Sequence, residues 1–127
     1  MKILLTLLST VILVTACNRC EDEIICTEEF RMIVLTLKDN SEQPGILDSS
    51  YTIRQSTLEK IRPEQSMGAG YYVVLDDAYH PQLKNKEDHF RFVGWKHNTI
   101  VVDEQYRIAG DNCHILKRSG ADTLSVQ

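Results

Sequence analysis

The feature that most limits the fold is a series of short runs that alternate apolar and polar residues after residue 26, with almost no helical periodicity. Short runs rich in β-branched and aromatic residues, separated by polar turns, are typical of strands. Seven runs of this kind are FRMIVLTL, SSYTIRQS, YYVVL, HFRFVGW, TIVVDEQYRI, CHILK and DTLSVQ. We therefore predict an all-β chain with a single β-sandwich of approximately seven strands over residues 27–127.

Three local patterns make this prediction more specific. The apolar run YYVVL predicts a strand that is buried on both faces. The apolar residues that alternate between Ile100 and Ile108 share a face with Glu104, which predicts a bulge or bend near Asp103. The segment DDAYHPQL predicts one helical turn, ended by Pro81.

Residues 1–16 have the pattern of a secretory signal peptide. Lys2 supplies a positive charge, and no charged residue follows between Ile3 and Ala16. The run is shorter than the roughly 20 apolar residues of a membrane-spanning helix, but it matches the apolar region of a signal peptide. We expect these residues to be removed from the mature protein.

A short motif closes this segment, because the residues LVTA at Leu13–Ala16 directly precede Cys17. An aliphatic residue, two small residues and then cysteine resemble the lipobox of bacterial lipoproteins. In that family the thiol, a readily ionised nucleophile, is alkylated with a diacylglycerol, the signal peptide is cut before it, and the new amine is acylated. The resemblance implies a signal peptide over 1–16, lipidation of Cys17 and a flexible tether over 17–26. The alternative is an ordinary signal peptide beside an unrelated cysteine.

The charge balance limits the partners of the protein. The chain has 14 basic and 18 acidic residues and a net charge of −4. Loss of residues 1–16 removes only Lys2 among the charged residues, so the net charge becomes −5. An acidic surface argues against nucleic acid and against electrostatic adhesion to anionic lipid. The acyl chains on Cys17 would therefore hold the protein at the membrane.

The residues after Cys17 indicate a location. In many Gram-negative bacteria an aspartate directly after the acylated cysteine retains a lipoprotein in the inner membrane, whereas this chain has Asn18. This favours the outer membrane. The acidic run Glu21–Glu23 is similar to a short signal that exports lipoproteins to the cell surface in one group of these bacteria. The alternative is a solvated tether, which is the usual role of a charge run.

The remaining cysteines are Cys20, Cys26 and Cys113. Export places them where disulfides persist, so we expect one bridge. Cys26 with Cys113 is the favoured pair because each flanks a strand-like run, and Cys20 with Cys26 is the alternative. In the favoured case Cys20 is a free thiol on the tether. A zinc site is disfavoured because the only CxxC pair includes Cys17, which acylation consumes.

Five stretches of the body follow one another in a characteristic order, namely CTEEFRMIVLTLKDNSEQP, LDSSYTIR, GYYVVLDD, FRFVGW and IVVDEQYRIAGDNCHILKRSG. This order resembles small bacterial lipoproteins that carry a prealbumin-like, carboxypeptidase-regulatory-like β-sandwich. Cys26 and Cys113 occupy the two cysteine positions of that pattern, so the resemblance also supports their pairing. It implies a fold and an anchor, and it brings no catalytic residues. The turn KDNSEQPG departs from the pattern, in which a tighter Asp-Gly turn is common.

Two groups of side chains are candidates for ligand binding. The first combines the carboxylate and imidazole groups that metal ions prefer, from Asp76, Asp77, His80, Asp88 and His89. Their spacing matches no known metal-binding loop, and solvated turn residues explain the same pattern. We therefore expect no metal and no cofactor.

The second group is a candidate ligand face for sugar or peptide, made of Trp95, Tyr71, Tyr72 and Arg91. Core packing is the alternative, because aromatic residues at alternate strand positions are more often buried. The sequence contains no nucleophile elbow or other local catalytic frame, so we expect that the protein is not an enzyme.

Together these observations favour a non-enzymatic, lipid-anchored outer-membrane protein whose sandwich serves binding or assembly in the cell envelope. One alternative is an accessory subunit for glycan or nutrient capture through an aromatic surface, and another is a structural spacer. The expected partners are the membrane, through the N-terminal lipid, and an envelope protein or glycan, with no nucleic acid.

Overall fold

The computed structural model describes residues 24–127. The expectations about the signal peptide, Cys17, Cys20 and the acidic run Glu21–Glu23 lie outside the described residues. Between Ile24 and Gln127, no helix is long and apolar enough to cross a membrane.

Strands dominate this part of the chain. They are β1 (Met32–Lys38), β2 (Ser49–Arg54), β3 (Glu59–Ile61), β4 (Tyr71–Asp76), β5 (Glu87–Lys96), β6 (Thr99–Gly110), β7 (Ile115–Ser119) and β8 (Thr123–Ser125). A 3-10 turn (Asp77–Tyr79) and a one-turn helix α1 (His80–Leu83) separate β4 from β5. The all-β prediction is confirmed, with eight strands in residues 24–127 instead of seven, because the short β3 was not expected.

The strands form two sheets that pack as a sandwich. The three-stranded sheet has the order β4-β1-β8, and the five-stranded sheet has the order β3-β2-β5-β6-β7. One hydrophobic cluster contains Ile33, Leu35 and Leu37 of β1 together with Phe90 and Phe92 of β5. These residues recur at every second position, because successive side chains of a strand point to opposite faces.

Only the second part of the run YYVVL is buried as predicted: Val73–Leu75 are buried, whereas Tyr71 is exposed and Tyr72 is half-buried. A bulge contributes to this burial. Ile33 pairs with Leu75 and Val34 pairs with Val73, so Val74 is an extra residue on β4. Val74 and Leu75 both belong to the core cluster, whereas Val73 is buried outside it. The bulge therefore lets two consecutive residues, Val74 and Leu75, face the same core, which a regular alternating strand would not allow.

The bulge expected near Asp103 is present two residues earlier, at Val101. β6 pairs with β5 in regular register through Asp103, and the register shift leaves Val101 as the extra residue. Ile100 is consequently 41% exposed and not part of the core. Glu104 pairs with Phe92 in the ladder, and its carboxylate accepts a hydrogen bond from the backbone N–H of Ala121, at 3.0 Å.

The prediction that Pro81 ends the helical turn is wrong. Pro81 occupies the first turn of α1, which continues to Leu83. The fixed φ of proline and its missing N–H are tolerated in the first turn, where that N–H has no partner in the helix.

The two ends of the sandwich carry different segments. Met32 pairs with Asp76, so β1 begins where β4 ends. Segments 24–31, 77–83 and 111–114 lie at this end, which we call the N-terminal end. The opposite, distal end carries the loop 39–48, the start of β4 and the β5–β6 turn. The ten residues of β5 run between these ends and correspond to about 33 Å.

Candidate functional site

A disulfide joins the N-terminal segment to the body. The sulfur atoms of Cys26 and Cys113 are 2.05 Å apart, and the two residues are separated by 87 positions in sequence. Cys26 precedes β1, and Cys113 lies in the loop between β6 and β7. The pair favoured by the sequence is confirmed, and the alternative of Cys20 with Cys26 is wrong.

A polar cluster at the N-terminal end centres on the Asp77 carboxylate. The backbone amides of Arg31 and Ile115 donate to it, each at 2.8 Å. Nδ1 of His114 lies 2.7 Å from Oδ2 of Asp77, and Nε2 of His114 lies 3.2 Å from Oγ1 of Thr27. We call this group the Asp77 cluster; it links the N-terminal segment, the 3-10 turn and β7.

The electrostatics of the Asp77 cluster favour an ionised carboxylate. The side chains of His114 and Asp77 are only 7% and 9% exposed. Burial raises the pKa of Asp77, but the amides of Arg31 and Ile115 and the His114 ring outweigh it, so this pKa lies below its usual range. The amides of His114 and Cys113 likewise lower the pKa of Asp111.

The order hydroxyl, imidazole, carboxylate in the Asp77 cluster also occurs in hydrolases. Here each carboxylate oxygen of Asp77 accepts a hydrogen bond from a backbone amide, so the side chain connects separate segments of the chain. Neither Thr27 nor His114 lines any of the four cavities described below. The contacts of the cluster join three separate segments, and sequence reasoning missed it because its members are far apart in the chain.

The structure separates the residues of the candidate metal group. Asp76 accepts a hydrogen bond from the amide of Ala78, and Nε2 of His80 lies 2.9 Å from the backbone oxygen of Asp111. Asp88 instead forms an ion pair with Arg54, at 2.7 Å. Within residues 24–127, no three His, Cys, Asp or Glu side chains are grouped to hold a metal ion.

The candidate aromatic residues belong to both sheets. Trp95 and Arg91 lie on β5 of the five-stranded sheet, whereas Tyr71 and Tyr72 lie on β4 of the other sheet. Arg91 forms an ion pair with Asp103, at 2.6 Å. The structure therefore does not bring the four residues together on one sheet face.

Tyr72 has a packing role. Its hydroxyl accepts a hydrogen bond from the amide of Leu47 at 2.8 Å and lies 3.2 Å from the backbone oxygen of Gly45. Its ring packs against Phe92, with ring centroids 6.2 Å apart. Tyr71, the preceding residue, points away from this contact and is 50% exposed.

Several large apolar side chains are exposed toward the distal end. We use the name distal residues for Ile46, Met67, Tyr71 and Ile100, which come from the β1–β2 loop, the β3–β4 connection and the first positions of β4 and β6. Trp95, near the end of β5, is half-buried. Tyr71 also lines a cavity of about 110 Å³ with Leu37 and Pro44.

The open side of the sandwich holds two larger cavities. They have volumes of about 390 and 250 Å³ and lie on either side of the segment 62–65, which leads from β3 toward β4. We call these two cavities together the lateral cleft. Another cavity, of about 490 Å³, lies between the start of β5 and the end of β6 and is open and polar.

No protein-family model, curated protein or solved structure matches this chain.

Proposed function

We propose that this protein is a small bacterial lipoprotein, anchored by acylated Cys17, whose non-enzymatic β-sandwich binds an envelope protein through its distal end. The observation that carries the proposal is that the distal residues lie at the end opposite the Cys26–Cys113 bridge. Apolar side chains are exposed at the N-terminal end as well, but those lie beside the attachment point of the tether, at Ile24, Ile25 and Phe30. The N-terminal segment is fastened covalently at one end by the Cys26–Cys113 bridge, and the distal residues are exposed at the other.

The bridge gives the anchor a firm attachment to the sandwich. Eight residues lie between Cys17 and Cys26, so the nine backbone steps that connect them span at most about 32 Å. A mechanical force on the lipid anchor is transmitted through the bridge to Cys113 and the adjacent β7. The hydrogen bonds of the Asp77 cluster also resist this force. β1 is therefore protected from being drawn out of the three-stranded sheet.

The length of the sandwich holds the distal residues away from the bilayer. β5 corresponds to about 33 Å between the two ends. Exposed large apolar side chains at the end away from the tether favour a protein partner, because aromatic residues and Met are enriched in interfaces. The acidic net charge and the lipid anchor support a partner in the envelope over nucleic acid.

A photo-cross-linking experiment in cells tests the distal end. A photoreactive phenylalanine analogue replaces Ile46 in one variant and Leu58, an exposed apolar residue in the β2–β3 hairpin, in a matched control. We expect one discrete adduct from position 46 and none from position 58. The further changes Tyr71→Ser and Ile100→Ser should abolish that adduct. Equal labelling from both positions, or no adduct, would contradict the proposal and favour a spacer.

A further inference from the structure

The lateral cleft is bounded by the exposed edges of both sheets. Its larger cavity is lined by residues of β3, the end of β4, the 3-10 turn and the N-terminal segment, including Lys60, the buried carboxylate Asp76, Tyr79 and Phe30. Its smaller cavity is lined by residues at the starts of β2 and β4, including Tyr51. Arg62 lines both, so a single extended ligand that enters both cavities passes this side chain.

Two cations are held against one aromatic ring in the cleft. Nζ of Lys60 lies 4.7 Å and Cζ of Arg62 lies 5.4 Å from the ring centroid of Tyr51. The negative face of the ring attracts both cations, although they repel each other. Residues 24–127 contain seven ion pairs with an N–O distance within 4.0 Å, and neither Lys60 nor Arg62 takes part in any of them. The cations therefore remain available to an anionic ligand.

The walls of the cleft combine flat aromatic faces with short polar groups. Phe30 is 50% exposed at the larger cavity, and the Tyr79 hydroxyl is fixed by donating to Glu59 at 2.9 Å. Ser50 and Gln65 supply hydroxyl and amide groups at the smaller cavity. Aromatic faces, amides and hydroxyls suit a ligand that has apolar ring faces and many hydroxyl groups.

The edge of β4 argues against an extended peptide as the occupant. A peptide that adds a strand to a sheet needs free backbone donors and acceptors on that edge. The backbone oxygen of Val74 on β4 already accepts a hydrogen bond from Oγ1 of Thr52, at 2.6 Å. β3, the opposite edge, has only three residues.

We propose that the lateral cleft binds an acidic oligosaccharide, with a sugar carboxylate at Lys60 and Arg62 and neighbouring sugar rings in the two cavities. This site is separate from the distal residues, apart from Tyr71 at the rim, and its ligand requires neither the anchor nor the protein partner. Glu64 lies on the same segment as Arg62 and opposes an anion, so it supplies a matched control of opposite charge.

Calorimetric titration of the full chain in detergent micelles tests the site. The probes are tetragalacturonic acid and 3′-sialyllactose, with maltotetraose and lactose as their neutral counterparts and tetraglutamate as an acidic peptide. We expect at least one acidic sugar to bind, with an affinity that falls as salt is added, while its neutral counterpart and tetraglutamate bind at least roughly tenfold more weakly.

The variants locate the binding. Arg62→Gln should weaken binding of the acidic sugar by about tenfold, and Lys60→Gln should also weaken it, because each removes a charge-assisted hydrogen bond. Glu64→Gln should leave the affinity unchanged or raise it. The proposal is overturned if neither acidic sugar binds better than its neutral counterpart, if tetraglutamate binds as well, or if Arg62→Gln and Glu64→Gln have the same effect.

Discussion

At the scale of single residues, the N-terminal end depends on one carboxylate. Asp77 accepts hydrogen bonds from the amides of Arg31 and Ile115 and contacts His114, so three separate segments meet at its side chain. Hydrogen bonds to an ionised, buried acceptor are stronger than neutral ones. Arg31 lies 46 positions before Asp77 and Ile115 lies 38 positions after it, which explains why no local sequence pattern marks this role.

Asp77→Asn should lower the free energy of unfolding by about 2–3 kcal/mol at pH 7, because an amide cannot replace both acceptor oxygens and leaves a buried donor unpaired. Urea unfolding measures this loss. The control is Asp122→Asn, which breaks an exposed ion pair with Lys117 and should cost less than about 1 kcal/mol. Equal losses in the two variants would contradict the role of the Asp77 cluster.

The stability difference between wild type and the Asp77→Asn variant should depend on pH. The pKa of Asp77 is lowered in the folded protein, so its contribution is complete above the unfolded-state pKa of about 3.9 and is lost as the pH falls toward the folded value. The difference between wild type and Asp77→Asn should therefore shrink between pH 5 and pH 2. A difference that stays constant over this range would show that the carboxylate charge contributes nothing.

At the scale of elements, alternation predicts strands well and their irregularities poorly. Phe90 and Phe92 are buried as period two requires. The bulge lies at Val101, two residues before Asp103, and Glu104 on the apolar face accepts a hydrogen bond from the backbone N–H of Ala121, in a turn 17 residues later. β3 was not predicted because it has only three residues, of which only Ile61 is buried, so the sequence shows no alternation there.

The turn from β7 to β8, where the chain passes from one sheet to the other, depends on Gly120. Its φ is +123°, and a Cβ atom there would lie 2.1 Å from Cδ1 of Tyr106. Tyr106 is almost fully buried, and its hydroxyl donates to the backbone oxygen of Ala121 at 2.8 Å. The ring, the turn and the adjacent carboxylate of Glu104 thus fix the crossover together.

Gly120→Ala should destabilise the protein by about 3 kcal/mol or more, since backbone strain adds to a clash with a buried ring. Gly68→Ala is the matched control, because φ there is also positive, at +97°, but no atom lies within 4 Å of the added Cβ. It should cost only the backbone strain, about 1–2 kcal/mol. Thermal unfolding compares the stabilities of the two variants. Equal losses of stability would show that the Tyr106 ring moves aside at no cost and would contradict this role of Gly120.

At the scale of the whole molecule, the disulfide makes the N-terminal segment part of the domain. The sequence predicts this pair because Cys26 and Cys113 both flank strand-like runs. It does not predict the lateral cleft or the separation of Tyr71 from Trp95, because these follow from which strands share a sheet. Sheet order depends on long-range packing, which alternation within a strand does not encode.

The double change Cys26→Ser, Cys113→Ser should lower the free energy of unfolding by about 4 kcal/mol, because the bridge restricts a long loop in the unfolded chain. Urea unfolding of reduced wild type should give the same value as the double variant. If reduction and substitution both leave the stability unchanged, the bridge does not support the sandwich.

The most direct test of the lipid anchor is the mass of the N-terminal tryptic peptide from the membrane fraction of expressing cells. Trypsin cuts after Arg19, so we expect the peptide Cys17–Arg19 with a diacylglycerol on its sulfur and an acyl chain on its amine. In the Cys17→Ser variant this lipopeptide should be absent and the protein unprocessed or released from the membrane. An unmodified Cys17 in wild type, or a mature Cys17→Ser protein still in the membrane fraction, would contradict the lipoprotein proposal.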